Sequence, residues 1–328
     1  MKILVTGATG FVGRALCRRL HADNHELEIV TRGATPVMPG VSASYSVGDF
    51  SACPDFREAL QDVEVVLHLA ARGHILTGEC SDELAAFRAV NTFASLALGK
   101  QCAAAGVRRF IFLSSIKANG ESTRPGQRFS HADSPTPLTP YGLSKLEAEN
   151  GLRRLSDETG MELVIVRPPL VYGSGVAANF RTMMNCVYNR VPLPLAWVTH
   201  NRRSLIGIDN LVDLLAVCIE HPAAANQIFI PSDGEDLSTA ELLRRLGCAM
   251  NRPARLLPCP VWVLKLALTL FGKGDMAQRL LSSLQVDSSH ALNVLGWSPK
   301  VSVDEGLRRA AESFIRDSKR GREVVDAV

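Results

Sequence analysis

The sequence lacks the closely spaced cysteines that mark zinc sites and small disulfide-bonded domains. Its eight cysteines are spread along the chain without a Cys-x-x-Cys pair, which predicts reduced thiols and a cytoplasmic location. His21 and His25 lie four residues apart, but nothing around them completes a set of metal ligands. We therefore expect no metal centre.

Long hydrophobic runs are also missing. A helix that spans a bilayer needs about 20 apolar residues, whereas the longest run here, Val261–Phe271, has 11 residues and contains Lys265. The short run at residues 3–5 stops at Thr6 and lacks the cleavage pattern of a secretion signal. We expect no transmembrane segment. We expect Val261–Phe271 to be a helix packed on a small lobe or, alternatively, an interfacial patch on a membrane.

An excess of charge of one sign is absent. The 328 residues include 36 Lys and Arg against 33 Asp and Glu, so the formal net charge is only +3. This balance argues against nucleic-acid binding. Apolar residues make up 46% of the chain and charged residues 21%, which is typical of a globular protein and excludes a disordered one. The length allows one large domain or two that are closely joined.

What the sequence does contain is a regular alternation of strand-like and helix-like segments. Short apolar runs predict strands, and between them the apolar residues follow helical spacing. Such alternation predicts an α/β fold, a doubly wound parallel sheet of the Rossmann type with a smaller C-terminal lobe. The predicted strands are residues 3–5, 27–30, 63–69, 110–113, 163–166 and 227–230, and the predicted helices are residues 11–20, 54–61, 83–105, 141–159 and 209–220.

A glycine-rich turn follows the first predicted strand. Gly7, Gly10 and Gly13 lie between that strand and the first predicted helix, in the sequence Thr-Gly-Ala-Thr-Gly-Phe-Val-Gly. Glycine permits a tight turn and lets backbone amides approach a pyrophosphate, while the helix N-terminus adds unpaired N–H groups and a positive dipole. In this context the spacing predicts a dinucleotide-binding turn.

The alternation loosens after Arg167, where prolines interrupt the chain. We therefore predict that the dinucleotide-binding domain ends near this point and that a second lobe binds the substrate. The predicted boundaries are 1–168 for the first domain, with 207–232 returning to it, 169–206 and 233–320 for the second lobe, and 321–328 for a tail.

The end of the second predicted strand bears on the choice of cofactor. An NAD-binding fold typically places a carboxylate there, on the adenosine ribose, whereas this chain has Thr31-Arg32-Gly33. Arg32 would pair with a 2′-phosphate, so we expect NADP(H), with NAD(H) as the alternative because Glu28 lies within the strand. Asp49, after the third predicted strand, is placed to meet the adenine amino group or, alternatively, to cap its loop.

A phenol and an ammonium group lie one helical turn apart further along the chain. Tyr141 and Lys145 are four residues apart in a predicted helix that begins after Pro140, so both lie on one face. A nearby cation favours the phenolate and brings its pKa toward neutral. Ser114 and Ser115 follow a predicted strand at the carboxyl edge of the sheet, where open α/β folds bind ligands. Together these groups predict a site for proton transfer.

The combination of motifs resembles the extended short-chain dehydrogenase/reductases, the NAD-dependent epimerase/dehydratase family, which act on nucleotide sugars. The resemblance implies an enzyme with a UDP-sugar substrate. It also implies a homodimer joined by the helices at 83–105 and 141–159. The segments that carry the resemblance are Thr6–Gly13, His68–Ala71, Val90–Asn91, Phe112–Ser115, Pro140–Lys145, Arg167–Gly173 and Leu295–Pro299.

The resemblance implies roles for individual residues. Ser115 would hydrogen-bond the reacting sugar oxygen, Tyr141 would be the acid/base, and Lys145 would hold the nicotinamide ribose and tune Tyr141. Asn179 and Arg203 match positions that contact the nucleotide and its diphosphate. The cofactor contacts that it implies, beside Arg32 and Asp49, are Gly7, Thr9, Gly10, Phe11, Val12, Phe50, Leu69, Ala70, Ala71, Asn91, Tyr141, Lys145 and Pro168.

Two departures from the family pattern narrow the reaction. The dehydratases carry an Asp-Glu pair after the catalytic Ser or Thr, but Ser115 is followed by Ile116-Lys117, so we expect no dehydration. The epimerases usually carry Val-Tyr-Gly where this chain has Ala118-Asn119-Gly120. The substrate loop is therefore atypical of a galactose epimerase.

The segments around Ser115, Arg167 and 283–287 most resemble enzymes of bacterial O-antigen clusters, which make surface polysaccharide. Those enzymes reduce a UDP-4-keto-6-deoxy-N-acetylhexosamine at C4. An NADPH donor, as expected from Arg32, fits such a reductase because it consumes one hydride per turnover.

In this reading the 4-keto group accepts the hydride while Tyr141 donates a proton and Ser115 steadies the oxygen. Lys117 would polarise that oxygen or contact the substrate, or it is an ordinary solvated lysine. The alternative is a UDP-hexose or UDP-N-acetylhexosamine 4-epimerase that uses tightly bound NAD. A less favoured alternative is a dinucleotide-binding redox sensor without catalysis.

Overall fold

The structure, a computed structural model, describes residues 1–34, 38–73 and 82–325, with side chains described to residue 318. Ten strands in these residues form two sheets. The strands are β1 Lys2–Thr6, β2 Glu26–Thr31, β3 Val41–Ser46, β4 Val65–His68, β5 Arg109–Leu113, β6 Glu162–Val166, β7 Leu170–Tyr172, β8 Arg203–Gly207, β9 Ile228–Phe229 and β10 Asp236–Leu237.

The described helices are numbered in chain order. A π-helical segment, Arg88–Phe93, joins the second helix to the third. The boundary predicted for a tail at residue 321 falls inside the last helix, and residues 326–328 lie outside the described part of the chain. The helices are α1 Phe11–Ala22, α2 Glu83–Phe87, α3 Ala94–Ala104, α4 Pro140–Thr159, α5 Ala178–Tyr188, α6 Ile208–Glu220, α7 Thr239–Ala249, α8 Val261–Leu270, α9 Gly274–Leu281, α10 Ser289–Leu295 and α11 Val303–Val325.

The larger sheet has seven strands in the order β3-β2-β1-β4-β5-β6-β9, and all neighbours are parallel. The strand order changes direction between β1 and β4, and helices cover both faces. This is the doubly wound, Rossmann-type arrangement, in which ligands bind at the carboxyl ends of the strands beside that change of direction. The predicted fold class is confirmed.

The side chains of each strand point alternately to the two faces of the large sheet, so the sheet contributes to two apolar cores. In β1, Ile3 and Val5 are fully buried against the cluster that contains residues of α1 and α6. Leu4, which points to the opposite face, is fully buried in a second cluster with Leu98 of α3 and Leu152 of α4. Because successive strand side chains point to opposite faces, a continuous apolar run is what a parallel strand buried on both sides requires.

The helix predicted at residues 54–61 is wrong. This stretch contains only a short 3-10 turn, Glu58–Leu60. Asp62 then takes a left-handed conformation with φ 58°, and the chain enters β4 soon afterwards, so the helical hydrogen bonds cannot continue. The apolar residues that suggested a helix instead pack on the sheet, as Phe56 does.

The second sheet is much smaller, in the order β10-β8-β7, with β10 antiparallel to β8. Helices α5, α7 and α11 pack around it and contribute Phe180, Leu243 and Leu307 to a separate apolar cluster. A further small cluster joins this lobe to the loop after β5 through contacts between Phe129 and Val286. Among the helices that the structure describes, none has both the length and the apolar composition to cross a bilayer.

Candidate active site

Three loops meet at the carboxyl edge of the large sheet. The glycine-rich turn follows β1, residues 69–73 follow β4, and Ser114-Ser115 follow β5. The three strands are neighbours in the sheet, so the loops that follow them lie side by side. This edge is where the fold is expected to bind its ligand.

The glycine turn has the shape that a dinucleotide phosphate needs. A Cβ built on Gly13 would lie 2.2 Å from the Gly7 carbonyl oxygen, so any side chain there would force α1 away from the turn. Gly10 is the N-cap of α1 and makes no side-chain cap, which leaves the first amides of the helix available to an anion. These residues therefore fit the pyrophosphate of NAD(P).

The neighbouring predicted cofactor contacts surround this turn. Thr9 is exposed, and Phe11 and Val12 are half-buried in the first turn of α1. Leu69 donates its backbone N–H to the Thr6 carbonyl at 3.2 Å. Ala70 donates its N–H to the Thr6 hydroxyl at 3.3 Å. The loop after β4 is thus tied to the end of β1, and Ala71 is exposed at its edge.

Asn91, which is predicted to contact the cofactor, connects the loop after β4 to α4. Its side chain is fully buried. Its amide oxygen accepts from the Arg72 backbone N–H at 2.8 Å, and its amide nitrogen donates to the Arg72 carbonyl and to the Ser144 hydroxyl, both at 3.1 Å. The amide therefore holds the loop after β4 against α4.

The adenosine side of the site brings two predicted residues together. Arg32 is exposed at the end of β2, and its charge helps to hold the pKa of Asp49 below its usual value, although the hydrogen bonds from Ser51 contribute more. The Asp49 carboxylate accepts from the Ser51 N–H at 3.0 Å and from its hydroxyl at 2.5 Å. Asp49 is therefore the loop cap that the alternative interpretation predicted. The Phe50 side chain is buried beside Phe56.

Ser115 and Tyr141 are brought together by a close approach of α4 to the loop after β5. A Cβ built on Gly142 would lie 2.4 Å from the Lys117 carbonyl oxygen, so only glycine permits this approach. Thr139 caps α4 by accepting from the Gly142 N–H at 3.2 Å, with Pro140 in the first turn. The Ser115 side chain lies close to the Tyr141 phenol and acts to lower its pKa.

Lys145 lies one turn further along α4 and is almost fully buried, at 1% exposure. Its ammonium group donates to the Leu113 carbonyl at 2.9 Å and lies 4.5 Å from the centre of the Phe112 ring. Burial lowers the pKa of Lys145 to about 7, although the Glu149 carboxylate acts in the opposite direction. The charge on this side chain therefore changes near neutral pH.

The expected lowering of the Tyr141 pKa is not what the structure gives. Burial raises the pKa of this phenol to about 12, and the nearby Ser115 side chain offsets only part of the rise. The physical reason is that the Lys145 ammonium is directed at the Leu113 carbonyl and leaves desolvation as the main influence on Tyr141. The resting Tyr141 is a neutral phenol.

A buried network of charged residues supports this cluster. Its members were not among the site residues predicted from the sequence. Glu149 and Arg167 form an ion pair at 2.5 Å, with side chains at 0% and 1% exposure. Ser114 donates its hydroxyl to Glu149 at 2.5 Å, and Arg167 donates to the Asn119 side-chain oxygen at 2.9 Å. Ser114 is therefore a structural residue, whereas its neighbour Ser115 faces the phenol.

The network extends to Ala118-Asn119-Gly120, where this chain departs from the Val-Tyr-Gly that epimerases usually carry. Asn119 is buried, and its side chain completes the hydrogen bonds of Arg167. Its backbone carbonyl accepts from the Thr136 N–H at 3.0 Å. Pro168 is also buried, and its carbonyl accepts from the Ile116 N–H at 3.0 Å. These contacts fix the loop that carries Ser115 on two sides.

The predicted substrate contacts are divided between two places. Lys117 pairs with Glu121 at 3.0 Å, and Arg203 of β8 donates to the Ser282 carbonyl at 3.1 Å. Burial lowers the pKa of Arg203, while the negative charge of Glu121 acts against this change. Asn179 is exposed in the first turn of α5. No hydrogen bond or ion pair in the described residues joins Asn179 or Arg203 to the Ser115–Tyr141 cluster.

His68 at the end of β4 is a buried structural residue. One ring nitrogen lies 2.6 Å from the Thr6 hydroxyl and the other lies 2.8 Å from the Ser95 hydroxyl. Burial lowers the pKa of His68 to about 3, so the ring is neutral at physiological pH. In the part of the chain that the structure describes, no group of three or more His, Cys, Asp or Glu residues could hold a metal ion.

The spacing that could have revealed the network is present in the sequence. Tyr141, Lys145 and Glu149 recur every four residues, which places all three on one face of α4. A charged residue on the buried face of a helix requires a partner, and Arg167 ends the neighbouring strand. Arg72 and Asn119 could not be found in this way, because their contacts depend on how the loops fold.

Comparison with known proteins agrees with this geometry. Residues 3–230 match the NAD dependent epimerase/dehydratase family. A UDP-glucose 4-epimerase from Vibrio cholerae is 45% identical over 319 residues, which are 97% of each protein. The solved UDP-glucose 4-epimerase of Thermotoga maritima with UDP-glucose has a TM-score of 0.78 at 23% identity, over 97% of this chain and 100% of that one. The UDP-glucuronic acid 4-epimerase of Bacillus cereus in complex with NAD has a TM-score of 0.78 at 22% identity, over 96% and 99%.

The two solved structures share the fold of this chain at low identity. The family match extends over more than half of the chain, from β1 to the end of β9, and the Vibrio cholerae relative matches nearly its whole length. This chain belongs to the NAD dependent epimerase/dehydratase family, a group of extended short-chain dehydrogenase/reductases.

Proposed function

We propose that the protein is a UDP-hexose 4-epimerase that uses tightly bound NAD. The observation that carries the proposal is that Tyr141, one turn before Lys145 on α4, lies beside Ser115 of the loop after β5. The 45% identity to the Vibrio cholerae UDP-glucose 4-epimerase supports epimerisation better than the C4 reduction that the O-antigen resemblance implied.

The chemistry of the pair suits a sugar hydroxyl that becomes a carbonyl and is restored. A bound nicotinamide supplies the acceptance and return of a hydride. Tyr141 would first pass its phenolic proton to the neutral form of Lys145; the phenolate would then take the proton of the C4 hydroxyl and give it back, and Ser115 would hold that oxygen. Lys145, whose pKa is about 7, would change the charge next to the phenol in the working pH range.

The residues after Ser115 support epimerisation over dehydration. Elimination of water needs an acid and a base beside the reacting carbons. Here Ile116 is buried in an apolar cluster, and Lys117 is paired with Glu121. No carboxylate occupies the positions directly after Ser115.

The substrate contacts belong to the same proposal. Arg203 would pair with the diphosphate, because its guanidinium is half-buried on β8 and can form charge-assisted hydrogen bonds with phosphate oxygens. Asn179 would contact the nucleotide from α5. Lys117 would reach the sugar only by exchanging its ion pair with Glu121.

A C4 reductase that uses NADPH is the second candidate. The observation in its favour is Arg32, which is exposed at the end of β2 and could pair with a 2′-phosphate. The two candidates differ in how they use the cofactor: an epimerase keeps it, whereas a reductase consumes one per turnover.

This difference supplies the test. The purified protein is extracted for bound dinucleotide and then incubated, without added cofactor, with UDP-glucose and separately with UDP-N-acetylglucosamine. Copurified NAD and appearance of the C4 epimer would support the proposal. Preferential binding of NADPH and its stoichiometric loss, followed near 340 nm with a UDP-4-keto-6-deoxy sugar, would establish the reductase instead. In that case Arg32→Ala should reduce the preference for NADPH over NADH.

Two further expectations are kept as proposals. We propose a homodimer through α3 and α4, supported by Phe93, which is 55% exposed at the start of α3. Light scattering of the purified protein, with Phe93→Gln as the variant, would test it. We also propose a cytoplasmic location, where UDP-sugars and reduced thiols are found together.

A further inference from the structure

Half of the exposed large hydrophobic residues lie in one short part of the substrate lobe. Residues 255–279, which we call the α8–α9 surface, hold seven of the fourteen in the described part of the chain. Scattered exposed apolar residues are normal, but a concentrated patch marks a binding surface. The seven are Leu257, Val261, Trp262, Leu266, Leu270, Phe271 and Met276.

The helical spacing arranges these side chains in a line. Trp262, Leu266 and Leu270 recur every four residues along α8, so they lie on one face. Their exposures are 70%, 54% and 77%, and Phe271 at the end of the helix is 79% exposed. Leu264, which is only 8% exposed, anchors the opposite side of the helix in the lobe. Packing of Leu264 in the lobe therefore keeps the opposite, apolar face of α8 directed toward solvent.

Charge is concentrated on the same surface. Residues 255–279 contain the four basic residues Arg255, Lys265, Lys273 and Arg279 and a single acidic one, Asp275. This net charge of +3 equals that of the whole chain, so all other residues together sum to zero. All four basic residues are exposed. The surface therefore combines exposed apolar side chains with exposed basic ones.

From this combination we propose that the α8–α9 surface docks on an anionic lipid bilayer. Exposed aromatic and aliphatic side chains can enter the interface between headgroups and acyl chains. Lysine and arginine beside them keep their charge at the headgroup level and attract anionic lipid. A second copy of the chain fits less well, because a symmetric contact would bring two surfaces of charge +3 together.

The location gives the docking a functional consequence. Helix α9 ends next to Ser282, whose carbonyl accepts from Arg203. The charge of Arg279 also acts on Arg203. The bilayer would therefore lie near the residue proposed to bind the diphosphate. The docking itself is independent of which reaction the site performs.

Vesicle binding tests the proposal with the full-length protein. Sedimentation is measured with vesicles of equal parts phosphatidylglycerol and phosphatidylcholine, and with vesicles of phosphatidylcholine alone. We expect binding to the anionic vesicles, weakened by high salt and much weaker on the neutral ones. The emission of Trp262, obtained as the difference between the native protein and Trp262→Phe, should shift to shorter wavelength on binding.

Variants separate the apolar and the charged contributions. Leu270→Gln with Phe271→Gln should reduce partitioning at least about tenfold, because two inserted side chains are lost. Lys265→Glu with Lys273→Glu should reduce it by at least about 30-fold, since the loss of each basic residue near an anionic surface weakens binding about fivefold and the new carboxylates are repelled. The matched control, Val191→Gln with Leu292→Gln, replaces exposed apolar residues outside the surface and should bind like the native protein.

Three outcomes would overturn the proposal. The native protein could fail to bind anionic vesicles, or the surface variants could bind as well as the control. The native protein could also self-associate without lipid and lose this association in Leu270→Gln with Phe271→Gln, which would make the surface an interface between copies. All variants change exposed side chains, and unchanged circular dichroism would show that each is folded.

Discussion

At the large sheet the proposed site is formed by backbone groups and buried charge, whereas in the smaller lobe it is formed by single side chains. At the sheet edge, the turn after β1 presents helix amides, and Glu149 with Arg167 lies beneath Ser115 at almost no exposure. In the lobe, Arg203 is held by a carbonyl contact with Ser282 on a sheet whose strands are two to five residues long.

The difference indicates that the sheet edge is suited to carry the reaction and the small lobe to select the substrate. A buried, fully paired framework fixes the phenol that we propose to be catalytic and leaves it little freedom to vary. Side chains at the ends of short elements can be exchanged without disturbing the core, so they are suited to substrate selection. We therefore expect changes at the sheet edge to affect turnover or folding, and changes in the lobe to affect the Michaelis constant.

Tyr141→Phe should have the largest effect on turnover. Removal of the phenolic hydroxyl deletes the proposed proton carrier and should lower kcat by about 10²–10⁴-fold, the range for general acid–base groups. The dissociation constant of NAD should change little, since the ring remains. The matched control is Tyr188→Phe in the lobe, where the ring packs against Phe314. Steady-state kinetics and cofactor titration measure both quantities, and normal turnover in Tyr141→Phe would remove the phenol from the reaction.

Glu149→Gln should have the largest effect on stability. It leaves Arg167 buried without a charged partner, which costs about 3–5 kcal/mol in the free energy of unfolding. The control is Glu147→Gln on the same helix, whose ion pair with Arg88 is partly exposed and should contribute little. Urea unfolding of both variants makes the comparison. Equal midpoints would show that the buried pair is not the framework of the site.

Arg203→Gln should act on the substrate and leave the catalytic step nearly intact. Loss of a charge-assisted hydrogen bond to a phosphate is worth about 1.5–3 kcal/mol, so the Michaelis constant for the UDP-sugar should rise roughly 10- to 150-fold. The control is Arg202→Gln, because the neighbouring guanidinium pairs with Glu241. If kcat falls and the Michaelis constant stays the same, the assignment of Arg203 to the diphosphate is wrong.

The smallest predicted effect is a pH dependence of stability at His68. Its pKa is about 3 when folded against an ordinary 6.5, so the unfolded chain binds more protons between these values. The free energy of unfolding should fall as the pH drops through this window, by at most about 1.4 kcal/mol per unit. His68→Gln should flatten that slope, whereas exposed His21→Gln should not. Chemical unfolding at pH 7 and pH 5 gives the comparison, and identical slopes in all three proteins would contradict it.

The same contrast between the two halves explains what the sequence could reveal. Residues 3–5 and the glycines after them form a buried strand and a turn whose physical requirements are local, so this strand and turn could be predicted with their residues. The spacing of Tyr141 and Lys145 predicted their common helix face. Neither pattern gives the pKa of Tyr141, which depends on burial by the surrounding protein.

The lobe was harder to predict because its contacts are non-local. Strands β7, β8 and β10 are too short to show alternation, and isolated bridges such as Phe129 with Val286 join residues far apart in the chain. The Asn119 side chain accepts from Arg167, which is 48 residues away in the chain, so its sequence neighbours gave no sign of this contact. The expectation of reduction rested on the resemblance of the segments around Ser115, Arg167 and 283–287 and on Arg32. None of these features shows whether the cofactor is kept or consumed, and the comparisons support epimerisation better.

The central claim is that Ser115 and Tyr141 hold and deprotonate the C4 hydroxyl of the sugar while a hydride leaves C4 and later returns to it. UDP-glucose labelled with deuterium at C4 is incubated with the purified protein in ordinary water without added cofactor, and the product is analysed by nuclear magnetic resonance. The account predicts UDP-galactose that retains deuterium at C4, and no labelled product from Tyr141→Phe on the same timescale. Product with hydrogen at C4, or turnover only when NADPH is added with a 4-keto sugar, would contradict it.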